Sequence, residues 1–313
     1  MHTQLITTQI PDPNATRGSA APKVYEIVTD RITALLEQGT IPWRKPWRTV
    51  DGGAPRNLVS QKDYRGINVF LLACAPFSSP FWLTYRQAEA KGGNIRRGEK
   101  GSPVVFWKWL DKHERDEAGQ ATRKQIPMLR YYTVFNLEQC EGVEAPPVAA
   151  SNEAPFTAIE RCDEVIAGMP DAPTITHNGG RAFYRPSTDA VSVPRPTLFE
   201  SAAGYYTTVF HELVHATGHE KRLGRPGITD ATFFGDHAYS KEELVAEMGA
   251  AFLAGRCGIS QETEANSAAY IAGWLKKLRD DKRLVVTAAA QAQKASDLIL
   301  NRQYGDQESE AAA

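Results

Sequence analysis

The amino-acid sequence predicts an α+β protein of two units, a mixed α/β unit at the amino end and a mostly helical unit with a small sheet at the carboxy end. Three observations carry this expectation. Apolar residues recur at helical spacing near both ends of the chain, and β-branched and aromatic runs cluster between residues 103 and 137. Charge also divides: residues 23–143 carry 19 Lys and Arg against 13 Asp and Glu, whereas 144–313 carry 16 against 23. The units are therefore +6 and −7 inside a chain of net charge −1, a split that points to different partners, one of them a polyanion.

The elements follow in order. Residues 1–22 are polar, lack the apolar core of a signal peptide, and read as a disordered leader. "PKVYEIVTDRITALLEQG" places Val24, Ile27, Val28, Ile32, Leu35 and Leu36 on one helical face, and Gly39 stops it. "YRGINVFLLAC" and "WLTYRQAEAKGG" read as short helices, the second ended by Gly92 and Gly93. "PVVFWKWL" and "RYYTVFNL" read as strands joined by the charged loop "DKHERDEAGQATRKQ". The amino-terminal unit thus spans 23–143. Proline-rich 144–155 is the linker, and 156–305 is the second unit, followed by a disordered tail at 306–313. Within it, "FTAIERCDEVIAGM" predicts a helix, "RAFYRPSTDAVSVPRP" a hairpin turning at Ser187–Asp189, and four more helices follow at 201–218, 240–256, 264–281 and 284–302.

Several function classes fall away. No apolar run approaches the ~20 residues that cross a bilayer, so no membrane partner is expected. Cysteines 74, 140, 162 and 257 show no CxxC pairing, which argues against a disulfide framework and a cysteine metal site and fits a reducing cytoplasm.

One motif carries chemistry. "HELVH" places His211 and His215 one turn apart on a helix with Glu212 beside the first, the arrangement that holds zinc between two imidazoles and sets a general base next to the water it activates. A third ligand is needed. A metzincin would supply a histidine six residues after His215, where this chain has Lys221, and Gly218 ends the helix before His219. A carboxylate from "SKEELVAEMGAAFL" is the other solution. Glu243 and Glu247 share a face four residues apart, so Glu243 is read as the ligand and Glu247 as its support behind a histidine. Glu242 is read as a first-turn residue of a helix capped by Ser240. Tyr239, in "GDHAY" between the two helices, is a candidate donor to a developing oxyanion, and packing inward fits it equally well.

"HELVHATGHEKRLGR" followed by "YSKEELVAEMGAAFL" resembles the zincin metallopeptidase domain of the ArdC antirestriction family, and "YRGINVFLL", "WLTYRQAEAKGGNIRRGEKG" and "VFNLEQCEG" resemble that family's amino-terminal DNA-binding domain. The resemblance implies a zincin-like fold for the second unit, single-stranded DNA binding by the first, and protection of incoming plasmid DNA from host restriction. Cations that track phosphates and rings that stack bases are what such binding needs. Trp43, Arg44, Lys45, Trp47 and Arg48 interleave them, as do Tyr64, Arg65, Asn68, Tyr85, Arg86, Arg96, Arg97 and Lys100. Trp43 and Trp47 fit a groove and a core equally well, while Trp82, Phe106 and Trp107 fit a core better. The expected protein binds one zinc, or another divalent transition metal. Its partners are single-stranded DNA and an unidentified protein substrate, such as a restriction or DNA-associated protein. The alternative is a DNA-masking protein whose metal is structural or silent.

Overall fold

The computed structural model describes residues 20–44, 54–115, 121–146, 155–230, 237–259 and 268–302. The architecture is α+β. Helix α1 (Ala20–Glu37) buries Val24, Val28, Ile32, Leu35 and Leu36, and Gly39 follows at φ 79°, a left-handed turn that glycine adopts without strain. Strand β1 (Arg56–Asn57), helix α2 (Ile67–Ala73), strand β2 (Phe81–Leu83) and helix α3 (Tyr85–Ala90) come next, then β3 (Asn94–Ile95), β4 (Ser102–Arg115), β5 (Ala121–Asn136) and β6 (Cys140–Glu141). Four of the strands form one sheet in the order β1-β2-β5-β4, with β1 and β2 parallel and the other pairs antiparallel.

Two local expectations change here. Trp82 and Leu83 are strand, not helix, because they pair with Asn136 and Phe135. Helix α3 begins after Thr84, whose hydroxyl and Gln87 form a reciprocal capping box. The charged segment read as a loop is mostly hairpin, since pairing runs out to Arg115 opposite Ala121. Backbone pairing of this kind is open to charged and polar residues, so charge in the segment did not exclude a strand.

The carboxy-terminal unit runs through α4 (Pro155–Ala167), β7 (Thr174–Thr176), β8 (Phe183–Arg185), β9 (Ala190–Ser192), α5 (Ala202–Thr217), α6 (Pro226–Thr229), α7 (His237–Cys257), α8 (Ala268–Asp280) and α9 (Leu284–Ile299). Its sheet has the order β7-β9-β8, with β8–β9 the expected hairpin and β7 added in parallel. Helix α7 packs between α5 and α9. It starts at His237, so Ser240 lies inside its first turn and is not its cap. The main core joins both units: Val28, Ile32, Leu36, Trp43 and Phe70 share it with residues of α5, α7, α8 and α9. Among the described residues no helix is long and apolar enough to cross a membrane. Of the expected leader, residues 20–22 already belong to α1, while residues 1–19, linker residues 147–154 and the tail lie outside the described residues.

Candidate metal centre

Ser201 caps α5 by accepting from the Gly204 amide at 3.0 Å, and the helix then runs unbroken to Thr217. One turn separates His211 from His215, and their Nε2 atoms face each other at 3.1 Å. Helix α7 brings Glu243 against this pair, with Oε2 3.7 Å from His211 Nε2 and Oε1 3.5 Å from His215 Nε2. All three donor atoms lie within 4.8 Å of one another, and no other such group of metal-ligating side chains occurs among the described residues. Ligands held ~2.0–2.1 Å from a tetrahedral ion are about 3.3 Å apart, so the observed spacings fit one ion. Two imidazoles and a carboxylate also leave a fourth position open.

Glu212 is buried beside this group, and burial raises its pKa against the pull of the two histidines. Its carboxylate accepts a hydrogen bond from the Tyr184 amide of β8, which ties the motif to the small sheet. Burial alone would lower the pKa of His215, but hydrogen bonds to Glu242 and Glu243 outweigh it and raise the pKa to about 9 in the metal-free protein. Burial works against the charge on Glu243 as well, and the two histidines overcome it and hold its pKa low.

The carboxylate behind a histidine is that of Glu242, not Glu247. Glu242 Oε1 lies 3.4 Å from His215 Nδ1, while Glu247 Oε2 accepts from Trp43 Nε1 at 3.0 Å and from the Tyr270 hydroxyl. The physical reason is where α7 crosses α5: residues 242 and 243 straddle His215, and Glu247, a turn further on, faces Trp43 and α8. Arg225, which packs on Glu242, was missed, since a surface-type residue between Gly224 and Pro226 carries no pattern that marks it as buried. His219 stands outside the cluster, past the end of α5, and its Nδ1 accepts from the Lys221 amide at 3.2 Å. Tyr239 lies in the first turn of α7, and its side chain is outside the described residues.

Comparison with known proteins decides the family. A family model described as zincin-like metallopeptidase matches residues 160–291, and one described as the N-terminal domain of anti-restriction factor ArdC matches residues 22–135. The crystal structure of the antirestriction ArdC protein from the R388 plasmid is 38% identical, with a TM-score of 0.70 over 90% of this chain and 99% of that one. The chain belongs to the ArdC family. A Mn(II)-bound structure of the R388 ArdC protein gives a TM-score of 0.69 over 89% of this chain and 97% of that one. Two Escherichia coli relatives named DNA primase TraC are 38% and 37% identical over 88% of this chain, which spans only 20% and 27% of their lengths. Uncharacterized protein y4eC of Sinorhizobium fredii is 37% identical, across 92% of this chain and 94% of that protein.

Within the ArdC-type amino-terminal domain, the predicted DNA-binding residues divide. Trp43, 1% exposed, meets Trp274 edge to face, so it is a core residue and not a stacking platform. Tyr64 is equally interior, and Asn68 is spent on the backbone of Val105, which it bonds at 2.8 and 2.7 Å. Arg44 lies over the Tyr270 ring at 4.0 Å and 3.6 Å from Glu247, and Arg65 pairs with Asp297. Lys45, Trp47 and Arg48 lie outside the described residues. Tyr85, Arg86, Arg96, Arg97 and Lys100 are exposed, with Arg96 paired to Glu99 at 2.8 Å. Tyr131 and Tyr132 on β5, together with Arg130, add exposed rings and a cation that the strand reading had absorbed.

Proposed function

We propose that this chain is a cytoplasmic antirestriction protein that binds single-stranded DNA without sequence preference and carries a zinc-dependent peptidase centre, protecting incoming plasmid DNA from host restriction. The observation that supports it most directly is the convergence of His211, His215 and Glu243 beside Glu212 in a chain of the ArdC family. The Mn(II) form of the R388 relative supports a divalent ion, and a two-imidazole, one-carboxylate donor set suits zinc. A bound ion of this kind polarises a peptide carbonyl and lowers the pKa of water to ~7.

The chain's own residues supply the rest. Glu212, held by the Tyr184 amide, takes the proton from the attacking water and returns it to the leaving amine. The raised pKa of its carboxyl brings it closer to the working pH of such a base. The sequence-based candidate for a donor to the oxyanion is Tyr239, in the first turn of α7. The exposed set Tyr85, Arg86, Arg97 and Lys100 offers a ring and cations for unpaired bases and phosphates. The test is Glu212→Gln, scored for bound metal, for DNA protection, and for cleavage of candidate restriction or DNA-associated proteins with and without chelator. Loss of protection with metal and DNA binding kept supports catalysis. Unchanged protection supports the second reading, a DNA-masking protein with a silent metal.

A further inference from the structure

The glycine that follows "HELVHAT" has no backbone reason to be glycine. Gly218 caps α5 at φ −74° and ψ −10°, a conformation open to any residue. Space is the reason: a Cβ there would lie 2.6 Å from Ile228 Cγ1 and 3.0 Å from Arg225 Nη2. The missing methyl leaves room for Ile228 and, beside it, for Arg225, whose amide donates to the Gly218 carbonyl at 2.9 Å and whose side chain is 5% exposed.

Inside that seat the guanidinium makes four hydrogen bonds. Nη1 donates to Thr217 Oγ1 at 2.6 Å and Nη2 to the Val214 carbonyl at 2.7 Å, both at the end of the helix that carries the histidines. Nε donates to Glu242 Oε2 at 3.0 Å, and Nη2 donates to Glu242 Oε1. That Oε1 is the atom 3.4 Å from His215 Nδ1. A buried ion pair costs about as much to desolvate as it returns, so stability alone does not account for it.

We propose that Arg225 and Glu242 are positioning residues: Gly218 admits Arg225, Arg225 orients Glu242, and Glu242 holds the Nδ1–H of His215 so that Nε2 presents its lone pair to the ion. The proposal rests on the metal-site reading above. Arg222 is the internal control. It is as deeply buried, binds Asp189 and the Ala216 carbonyl, and touches neither histidine.

The experiment measures Zn(II) affinity by chelator competition on the full chain, alongside the melting temperature of each metal-free protein. Glu242→Gln, which keeps the side-chain shape, should weaken zinc binding about 10- to 100-fold. Arg225→Met should do the same, Arg225→Lys should recover part of the loss, and Arg225→Met added to Glu242→Gln should cost little more. Arg222→Met should lower the melting temperature while leaving zinc affinity alone. If Arg225→Met does not fold, Glu242→Gln decides. Affinity within twofold of wild type in Glu242→Gln overturns the proposal, as does an Arg222→Met that weakens zinc as much as Arg225→Met. A wild-type chain that takes up no zinc overturns the site reading and the proposal with it, whereas His211→Ala losing metal while Glu242→Gln keeps it overturns the proposal alone.

Discussion

Gly249 sits where α7 crosses α5, and a methyl placed there would lie 2.7 Å from Val214 Cγ2 and 3.0 Å from Val214 Cγ1. Ordinary contact begins at 3.4 Å, so Gly249→Ala must open the crossing by about 0.7 Å in a core that packs without slack. Val214 is fully buried and β-branched, which leaves it no other rotamer to retreat into. Alanine gains ~1 kcal/mol over glycine in a helix interior, and overpacking costs about 1–3 kcal/mol, so the net change is a loss of about 0–2 kcal/mol. The metal site should suffer more than the fold. His215 follows Val214 directly and Glu243 lies under two turns from Gly249, whereas ligand distances tolerate only about 0.2 Å. Metal-free Gly249→Ala should therefore melt at or slightly below the wild-type temperature and bind Zn(II) at least about tenfold more weakly by chelator competition. Trimming the obstruction with Val214→Ala should restore much of the affinity. A Gly249→Ala protein that melts higher and holds zinc as tightly as wild type would refute this account of the crossing.

Other outcomes test separate links. Trp43→Ala should cost about 3–5 kcal/mol in a urea melt, and the folded fraction should bind an oligonucleotide as before; lost binding at full stability would return Trp43 to the DNA interface. Arg97→Ala and Lys100→Ala should each weaken binding of a single-stranded oligonucleotide and reduce the log–log salt slope by about 0.7, and an unchanged slope removes them from the phosphate contacts. In the metal-free protein His215 has its pKa raised from 6.5 to about 9, so the stability this supplies is complete below pH 6.5 and lost as pH rises through about 9. The melting temperature should fall across that window, and His215→Gln should remove the fall. Tyr239→Phe should lower turnover while keeping metal; equal turnover would remove it from the oxyanion.

The histidine pair was legible because it depends on one helix and its period, and Glu243 was reached because a third donor had to come from a second helix. The partner of His215 was not, because a helical wheel says which residues share a face but not where another helix crosses it. That angle decides between Glu242 and Glu247. Trp43, Tyr64 and Asn68 were misread for a related reason. A tryptophan among arginines looks the same whether its indole turns to a groove or, as here, to Glu247 and Tyr270 more than two hundred positions away. Asn68 finds its partner 37 positions along, at Val105, and composition carries no trace of that pairing. The long hairpin was hidden because its outer half is held by backbone pairing, which any polar residue can sustain.

The core that runs from α1 and Trp43 into α5, α7, α8 and α9 has a consequence for inheritance. Two family models meet in this chain, but Trp43 falls in one and its companions Glu247, Tyr270 and Trp274 fall in the other. Recombination between them would strand an indole on one product and an unfilled hollow, with a carboxylate short of a donor, on the other. The two units are thus one folding unit at this seam, whatever each does chemically. In the two TraC relatives the two units likewise occur together: the match takes in 88% of this chain within 20% and 27% of their lengths.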